Sequence, residues 1–191
     1  MVDIKIYEPG ADATEVFRFR YKIYEEEMSR HDQYADHDKK EISDPLDAHG
    51  YNIAALMDGE IVAVNRVNFC ADGDPGVYLD FYELDSVGAD YPDKVAYSTR
   101  IMAAEHVRGR LPPMMVSVAG FQLGVDRDVN WCFCDCNDHL VPFFMKLGFE
   151  PFRPGKVHPS FGEVTVLRYD LRDGKHFDRK RSVLGRYLKK K

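Results

Sequence analysis

Hydrophobic and polar positions change their rhythm several times along this chain, and each change marks an element. Val2 to Tyr7 alternates as a first strand, and Pro9-Gly10 breaks it. Asp12 or Thr14 can cap a helix over Glu15 to Glu27, where Val16, Phe19, Ile23 and Tyr24 recur on one face. Residues 29–50 are polar and aperiodic, which predicts a long loop with at most a helical turn. Tyr51 to Met57 and Ile61 to Phe69 flank Asp58-Gly59 and predict a hairpin. Ala71 to Gly76 reads as a turn, and Tyr78 to Leu84 as a short strand or a helical turn. Val95 to Ala103 is the expected central strand, and Pro112-Pro113 opens a helix to about Val125. Strand 129–136, helix 138–147 and a last strand Glu163 to Leu171 follow, and the tail from Lys175 is read as a short basic helix.

The stretch from Asn130 to Phe149, NWCFCDCNDHLVPFFMKLGF, is the most telling. An apolar strand gives way to Asn137, then to a short helical pattern, and stops at Lys146-Leu147-Gly148-Phe149. This is one βα unit with a glycine end. Taken together the elements predict an α/β fold with a central mixed sheet flanked by helices.

Bulk composition narrows the class. A chain of 191 residues, 45% hydrophobic, can bury a sizeable core in one domain. The formal net charge of −6 argues against a general nucleic-acid binder. The opening MVDIKIYEPG lacks the apolar core of a signal peptide, and no segment approaches the ~20 apolar residues of a membrane helix, so no integral membrane contact is expected. Of the four cysteines, Cys132, Cys134 and Cys136 alternate on one strand with the fourth, Cys70, far away. Buried reduced thiols and a cytoplasmic compartment are the expectation, with no metal site.

The strand–helix ending at Gly148-Phe149 resembles the last βα unit of the GNAT superfamily of N-acyltransferases, and the element order of the whole chain agrees with it. The resemblance implies a single GNAT-like domain over residues 1–174, followed by a basic tail over 175–191. Acetyltransferases of that superfamily grip the pyrophosphate of coenzyme A with a Gln/Arg-x-x-Gly-x-Gly/Ala loop at a helix N-terminus. Here the loop reads Arg108-Gly109-Arg110-Leu111-Pro112-Pro113. Arg108 fits, but Leu111 and Pro113 stand in the glycine places, and two prolines bring no N–H. Arg108 and Arg110 can still hold a single phosphate. The loop therefore points to a donor with one phosphate, the phosphopantetheine arm of an acyl carrier protein, with acyl-CoA as the other donor.

A second pattern lies upstream. Arg20-x-x-Ile23-Tyr24, Asp44-Pro45-Leu46-Asp47, Tyr51, Arg66 and Ser98-Thr99-Arg100 resemble acyl-homoserine-lactone synthases and the related long-chain N-acyl amino acid synthases. In the former the corresponding residues bind an amine substrate and order the active-site loop. Arg20, Asp44, Asp47, Arg66 and Arg100 match by position. Tyr97 fills the place of a glutamate, and the tryptophan expected soon after Tyr24 is absent. These departures argue against S-adenosylmethionine as the amine, and the broader N-acyl amino acid synthase reading accommodates them.

The resemblance implies roles. Asp47, Asp44 or Glu27 would take the amine proton, Arg100 would support the site, and a backbone N–H of Ile101 or Met102 would polarise the thioester carbonyl. Arg20, Arg66, Tyr97 and Ser98 would contact the small amine substrate, an amino acid or other metabolite. For Arg66 and Arg100 the alternative is an internal ion pair with Asp44 or Asp47; for Arg20 it is an exposed helix face, and for the acidic loop a solvated surface. Met102, Arg108, Gly109, Arg110, Phe143 and Phe144 would hold the donor. Phe144 stands where many superfamily members carry a tyrosine that protonates the leaving thiolate, so Cys136, Tyr97 or Ser98 would assist, or no fixed acid would. Met114, Met115, Phe121 and Phe133 are candidates for an acyl tunnel, or ordinary core. The basic runs at Arg179-Lys180-Arg181 and Lys189-Lys190-Lys191 are candidates for docking an acidic carrier protein or an anionic membrane surface, with a solvated terminus as the alternative. No cofactor is expected to be bound permanently. Ordinary acetyl-CoA-dependent N-acetylation and a non-catalytic acyl-binding module are the competing functions.

Overall fold

A computed structural model of the chain describes residues 1–158, 162–179 and 182–185. Strand β1 (Val2–Tyr7) is followed by helix α1 (Thr14–Tyr21), which passes into a π-helical segment, Lys22–Glu27. The loop expected over 29–50 contains a two-residue hairpin, β2 (Ala35–Asp36) and β3 (Glu41–Ile42), and a 3-10 turn, Pro45–Ala48. Strands β4 (Gly50–Met57) and β5 (Glu60–Phe69) form the hairpin, with Asp58 at φ 52° and Gly59 at φ 86°, both in the left-handed region such a two-residue turn requires. Helix α2 (Tyr78–Tyr82) decides the ambiguous Tyr78 segment in favour of a helix. Strand β6 (Val95–Ala103), helix α3 (Leu111–Asp126), strand β7 (Trp131–Cys136) and helix α4 (Val141–Leu147) follow at nearly the expected bounds. Strands β8 (Glu150–His158) and β9 (Gly162–Asp170) and helix α5 (Gly174–Arg179) close the described chain.

The strands make one mixed seven-stranded sheet in the order β1-β4-β5-β6-β7-β9-β8, flanked by helices, in a single α/β domain. Strand β6 runs parallel to β7 over Val95–Tyr97, and the other recorded pairings in this sheet are antiparallel. Strand β8 was absent from the sequence expectation. Its stretch, EPFRPGKVH, carries two prolines and a glycine, and its ladder with β9 slips between Pro151 and Arg153 and again before Lys156. An edge strand tolerates this because one side of its backbone needs no partner.

The residues gather into two compact units, 1–68 with 99–120, and 69–98 with 121–191. In the first, α1 buries Val16 and Phe19 and the π-helical segment after it buries Ile23 and Tyr24, the expected stripe. In the second, Phe121, Phe149, Tyr169 and Phe177 make a ring cluster with centroids 4.4–5.7 Å apart. Phe177 lies on α5, so the segment beginning at Lys175 starts inside the core of its unit instead of hanging free: His176 and Phe177 are buried, and His176 Nε2 lies 2.7 Å from the Gly148 carbonyl oxygen. The rest of the expected tail, Lys180, Arg181 and Lys189 to Lys191, lies outside the described residues, as does the side chain of Arg179.

Gly148 is required where it stands. It ends α4 at φ +111°, and a Cβ there would meet Phe177 at 2.6 Å. Gly148→Ala is expected to cost about 2–4 kcal/mol, adding backbone strain to overpacking, as read by urea unfolding.

Candidate active site

Asp32, Asp44 and Asp47 of the acidic loop are withdrawn from solvent, while Asp38 between them is exposed. Three arginines and three aspartates of the first unit interlock in its interior, so their formal charges sum to zero. Arg20 holds Asp47 at 2.9 Å, donates to the Asn52 side chain, and reaches the Ile42 carbonyl at 3.4 Å. Arg66 pairs with Asp44 and with Asp47, the latter at 3.1 Å, and donates through Nε to Thr99 Oγ1 at 3.1 Å. Arg100 pairs with Asp44 at 2.8 Å and with Asp32. Arg20 and Arg66 are both 0% exposed. Unpaired, each would lose several kcal/mol of hydration with nothing in return.

Each member is positioned by a local device. Arg20 is four residues after Val16 and three before Ile23, so it sits on the apolar stripe of α1 and points inward. Its burial overturns the exposed-face alternative. Arg66 faces Asn52 across the β4–β5 ladder. Asp44 caps the 3-10 turn: its carboxylate accepts from the Leu46 N–H at 3.0 Å, while Asp47 accepts from the Asp44 N–H at 2.9 Å. Gly50 follows that turn where a Cβ would meet Arg66 Cδ at 2.8 Å and the Leu46 carbonyl at 2.9 Å. Arg100 sits within β6 at φ +56°, a conformation that costs a non-glycine residue about 1–2 kcal/mol. Asp32 had no sequence signal, because its partner is 68 residues away.

The electrostatics follow from burial and the arginines together. Burial pushes the Asp47 carboxyl up, but Arg20 and Arg66 outweigh it and hold it well below the usual carboxylate range. Burial likewise opposes ionisation of Asp44, and Arg66 and Arg100 prevail. Carboxylates held so firmly ionised make poor proton acceptors. The geometry fits Asp44 and Asp47 as organisers of the loop better than as bases.

Other candidates fall elsewhere. Glu27 is outside this cluster and pairs with Arg108, whose Nε also donates to the Ala103 carbonyl at 3.1 Å. Two residues expected in different roles, acid–base and donor, thus bind each other. Gly109 is at φ +72° and Arg110 is exposed. Arg110 immediately precedes α3, whose first three residues are Leu111, Pro112 and Pro113. Its first turn therefore offers amides only at Leu111 and Met114. Met102 is buried and Ile101 half-buried on β6. In the second unit Tyr97 and Ser98 are buried, with Tyr97 ringed by Tyr78 at 5.7 Å and Tyr82 at 6.4 Å. Phe144 is buried between Phe143 and Phe149, while Phe121 and Phe133 pack in the core against Tyr169 and Phe152. Burial pushes the Cys136 thiol to about 12, too high to protonate a leaving thiolate well. All four cysteines are free and buried, and among the described residues no group of three or more His, Cys, Asp or Glu could hold a metal.

The fold is that of GNAT-like acyltransferases. The solved structure of TofI, in a ternary complex with an inhibitor and MTA, superposes with TM-score 0.70 at 16% identity, over 95% of this chain and 98% of that one. BjaI, a CoA-dependent acyl-homoserine lactone synthase with SAM and isopentyl-CoA, gives TM-score 0.69 at 15% identity, over 96% and 91%. FeeM, an N-acyl amino acid synthase from uncultured soil microbes, gives 0.69 at 10% identity, over 98% of both chains. No curated protein is similar enough in sequence to count as a relative. The family profile of the N-acyl amino acid synthase FeeM matches residues 15–170, and the chain belongs to that family. Among the described residues no helix is long and apolar enough to cross a membrane.

Proposed function

We propose that this enzyme moves an acyl chain from the phosphopantetheine thioester of an acyl carrier protein to the amino group of a small metabolite or amino acid. Family membership supports N-acyl transfer to an amine. The observation that carries the choice of donor is the start of α3, where Pro112 and Pro113 remove two of the four amides a pyrophosphate would use. A hydrogen bond to a charged group is worth about 1.5–3 kcal/mol, so losing two favours a donor with one phosphate. Arg108 and Arg110 precede that turn and supply charge for it, although a phosphate on Arg108 must compete with Glu27.

In this reading Arg20, Asp44, Asp47, Arg66 and Arg100 act by holding the 29–50 segment in one conformation over the acceptor, and the N–H of Ile101 or Met102 polarises the thioester. Residues 1–174 would carry the catalysis, with Met102, Phe143 and Phe144 beside the acyl chain and Tyr97 and Ser98 beside the amine. An acyl-CoA donor is the second reading, favoured by the structural likeness to the CoA-dependent BjaI. The two part in one assay. Octanoyl-carrier protein, octanoyl-CoA and acetyl-CoA are each offered with a mixture of α-amino acids, and amides are read by mass spectrometry. We expect kcat/KM for the carrier-protein donor to exceed that for octanoyl-CoA by at least about 10-fold. Turnover of acetyl-CoA alone would sink the proposal.

A further inference from the structure

With the cluster carboxylates held ionised, the acceptor ammonium still needs a proton acceptor. Four buried side-chain atoms of the first unit have no hydrogen-bond partner among the described residues, and all belong to residues on one turn or bonded to it: Arg20 Nε, His49 Nε2, Arg66 Nη2 and Asn68 Oδ1. His49 ends the 3-10 turn, with its N–H 3.4 Å from the Leu46 carbonyl. Asn68 donates to that same carbonyl at 2.9 Å. Arg66 bonds Asp44 and Asp47 from the same turn. Leaving a buried polar atom unsatisfied costs about 1–3 kcal/mol. Four about one turn, on a scaffold fixed by the Asp44–Asp47 capping box and by Gly50, leave hydrogen-bonding capacity that water or a ligand would meet.

We propose that His49 is the proton acceptor for the amine substrate, with Asn68 Oδ1 and Arg66 Nη2 positioning that substrate. This rests on the reading of the enzyme as an N-acyltransferase. Imidazole is the side chain type that exchanges protons nearest neutral pH, whereas the neighbouring carboxylates are locked by Arg20, Arg66 and Arg100. Nε2 of the neutral ring takes one proton from the ammonium. The freed lone pair attacks the thioester carbonyl carbon, the C–N bond forms, and the C–S bond breaks. The second proton lost from nitrogen goes to the departing sulfur, giving the free thiol, and the imidazolium returns its proton to solvent.

The charged groups around this turn are Asp44, Asp47 and Arg66, with Arg20 and Arg100 bonded to the same carboxylates. The test is the rate of octanoyl transfer to the amino-acid mixture by the wild type and His49→Gln, with folding checked by thermal melting. Wild-type turnover tests the acyltransferase reading by itself. If the wild type is active, His49→Gln should lower kcat by about 10²–10⁴-fold. A folded His49→Gln that keeps the rate overturns the inference. If the glutamine variant does not fold, His49→Ala with added imidazole decides. Rescue that follows the basicity of a series of azoles supports the role, and no rescue overturns it.

Discussion

Replacing Arg66 with methionine should cost this protein about 3–5 kcal/mol of stability, read by urea unfolding at neutral pH. The methionine keeps most of the buried volume but withdraws the charge that Asp44 and Asp47 share. Arg100 still reaches Asp44 and Arg20 still reaches Asp47, so the lower end of the range is expected. Asp44→Asn added to Arg66→Met returns the cluster to neutrality, with Arg20 and Arg100 opposing Asp32 and Asp47. The double variant should recover part of the loss. If it is instead less stable by the sum of both changes, packing and not charge balance governs the cluster.

Acid should act on the same network. Asp47 and Asp44 have native pKa values depressed below those of the unfolded chain by their arginines. Their contribution is therefore complete above the unfolded value of about 4 and is lost as pH falls below it. In Arg66→Met the depression shrinks, and the fall in stability below that pH should be shallower than in the wild type.

The difference between what the chain's pattern revealed and what it hid has a physical basis. β6, VAYSTRIMA, was readable to its final residue because apolar residues fill both of its ends, Val95 to Tyr97 and Ile101 to Ala103, although Ser98, Thr99 and Arg100 interrupt the run. β8 was hidden because its prolines are harmless only at a sheet edge, a fact of topology and not of local pattern. The cluster residues Arg20, Asp44, Asp47, Arg66 and Arg100 were legible as a set through family resemblance. An ion pair of Arg66 or Arg100 with Asp44 or Asp47 was one of the two readings, and the structure bears it out; which arginine takes which carboxylate was not legible, since the partners stand 19 to 68 residues apart and an arginine's periodic position does not name its carboxylate. Asp32 and His49 carry no motif at all. Asp32 is fixed by Arg100, and His49 draws attention only through an atom left without a bond.

Arg100→Ala should lower turnover by at least about 10²-fold while the protein stays folded, because catalysis tolerates little displacement of a positioning segment. Arg100 ties the two ends of the 29–50 segment together, Asp32 near its start and Asp44 near its end. Asp44 keeps Arg66 when Arg100 is gone, so the cluster loosens at Asp32 instead of collapsing. Two further substitutions separate charge from backbone. Arg100→Gly accepts φ +56° without strain and yet lacks the guanidinium, so it should be as inactive as the alanine variant while regaining about 1 kcal/mol of stability. Arg100→Lys keeps the charge but cannot span both aspartates with a planar fork, and should recover only part of the rate. Cys134→Ala is the control: that thiol is buried, with its pKa pushed far up by burial, and its loss should leave the rate within about threefold. A folded Arg100→Gly with wild-type turnover would remove the guanidinium from the mechanism and leave the bend in β6 as the feature that catalysis needs.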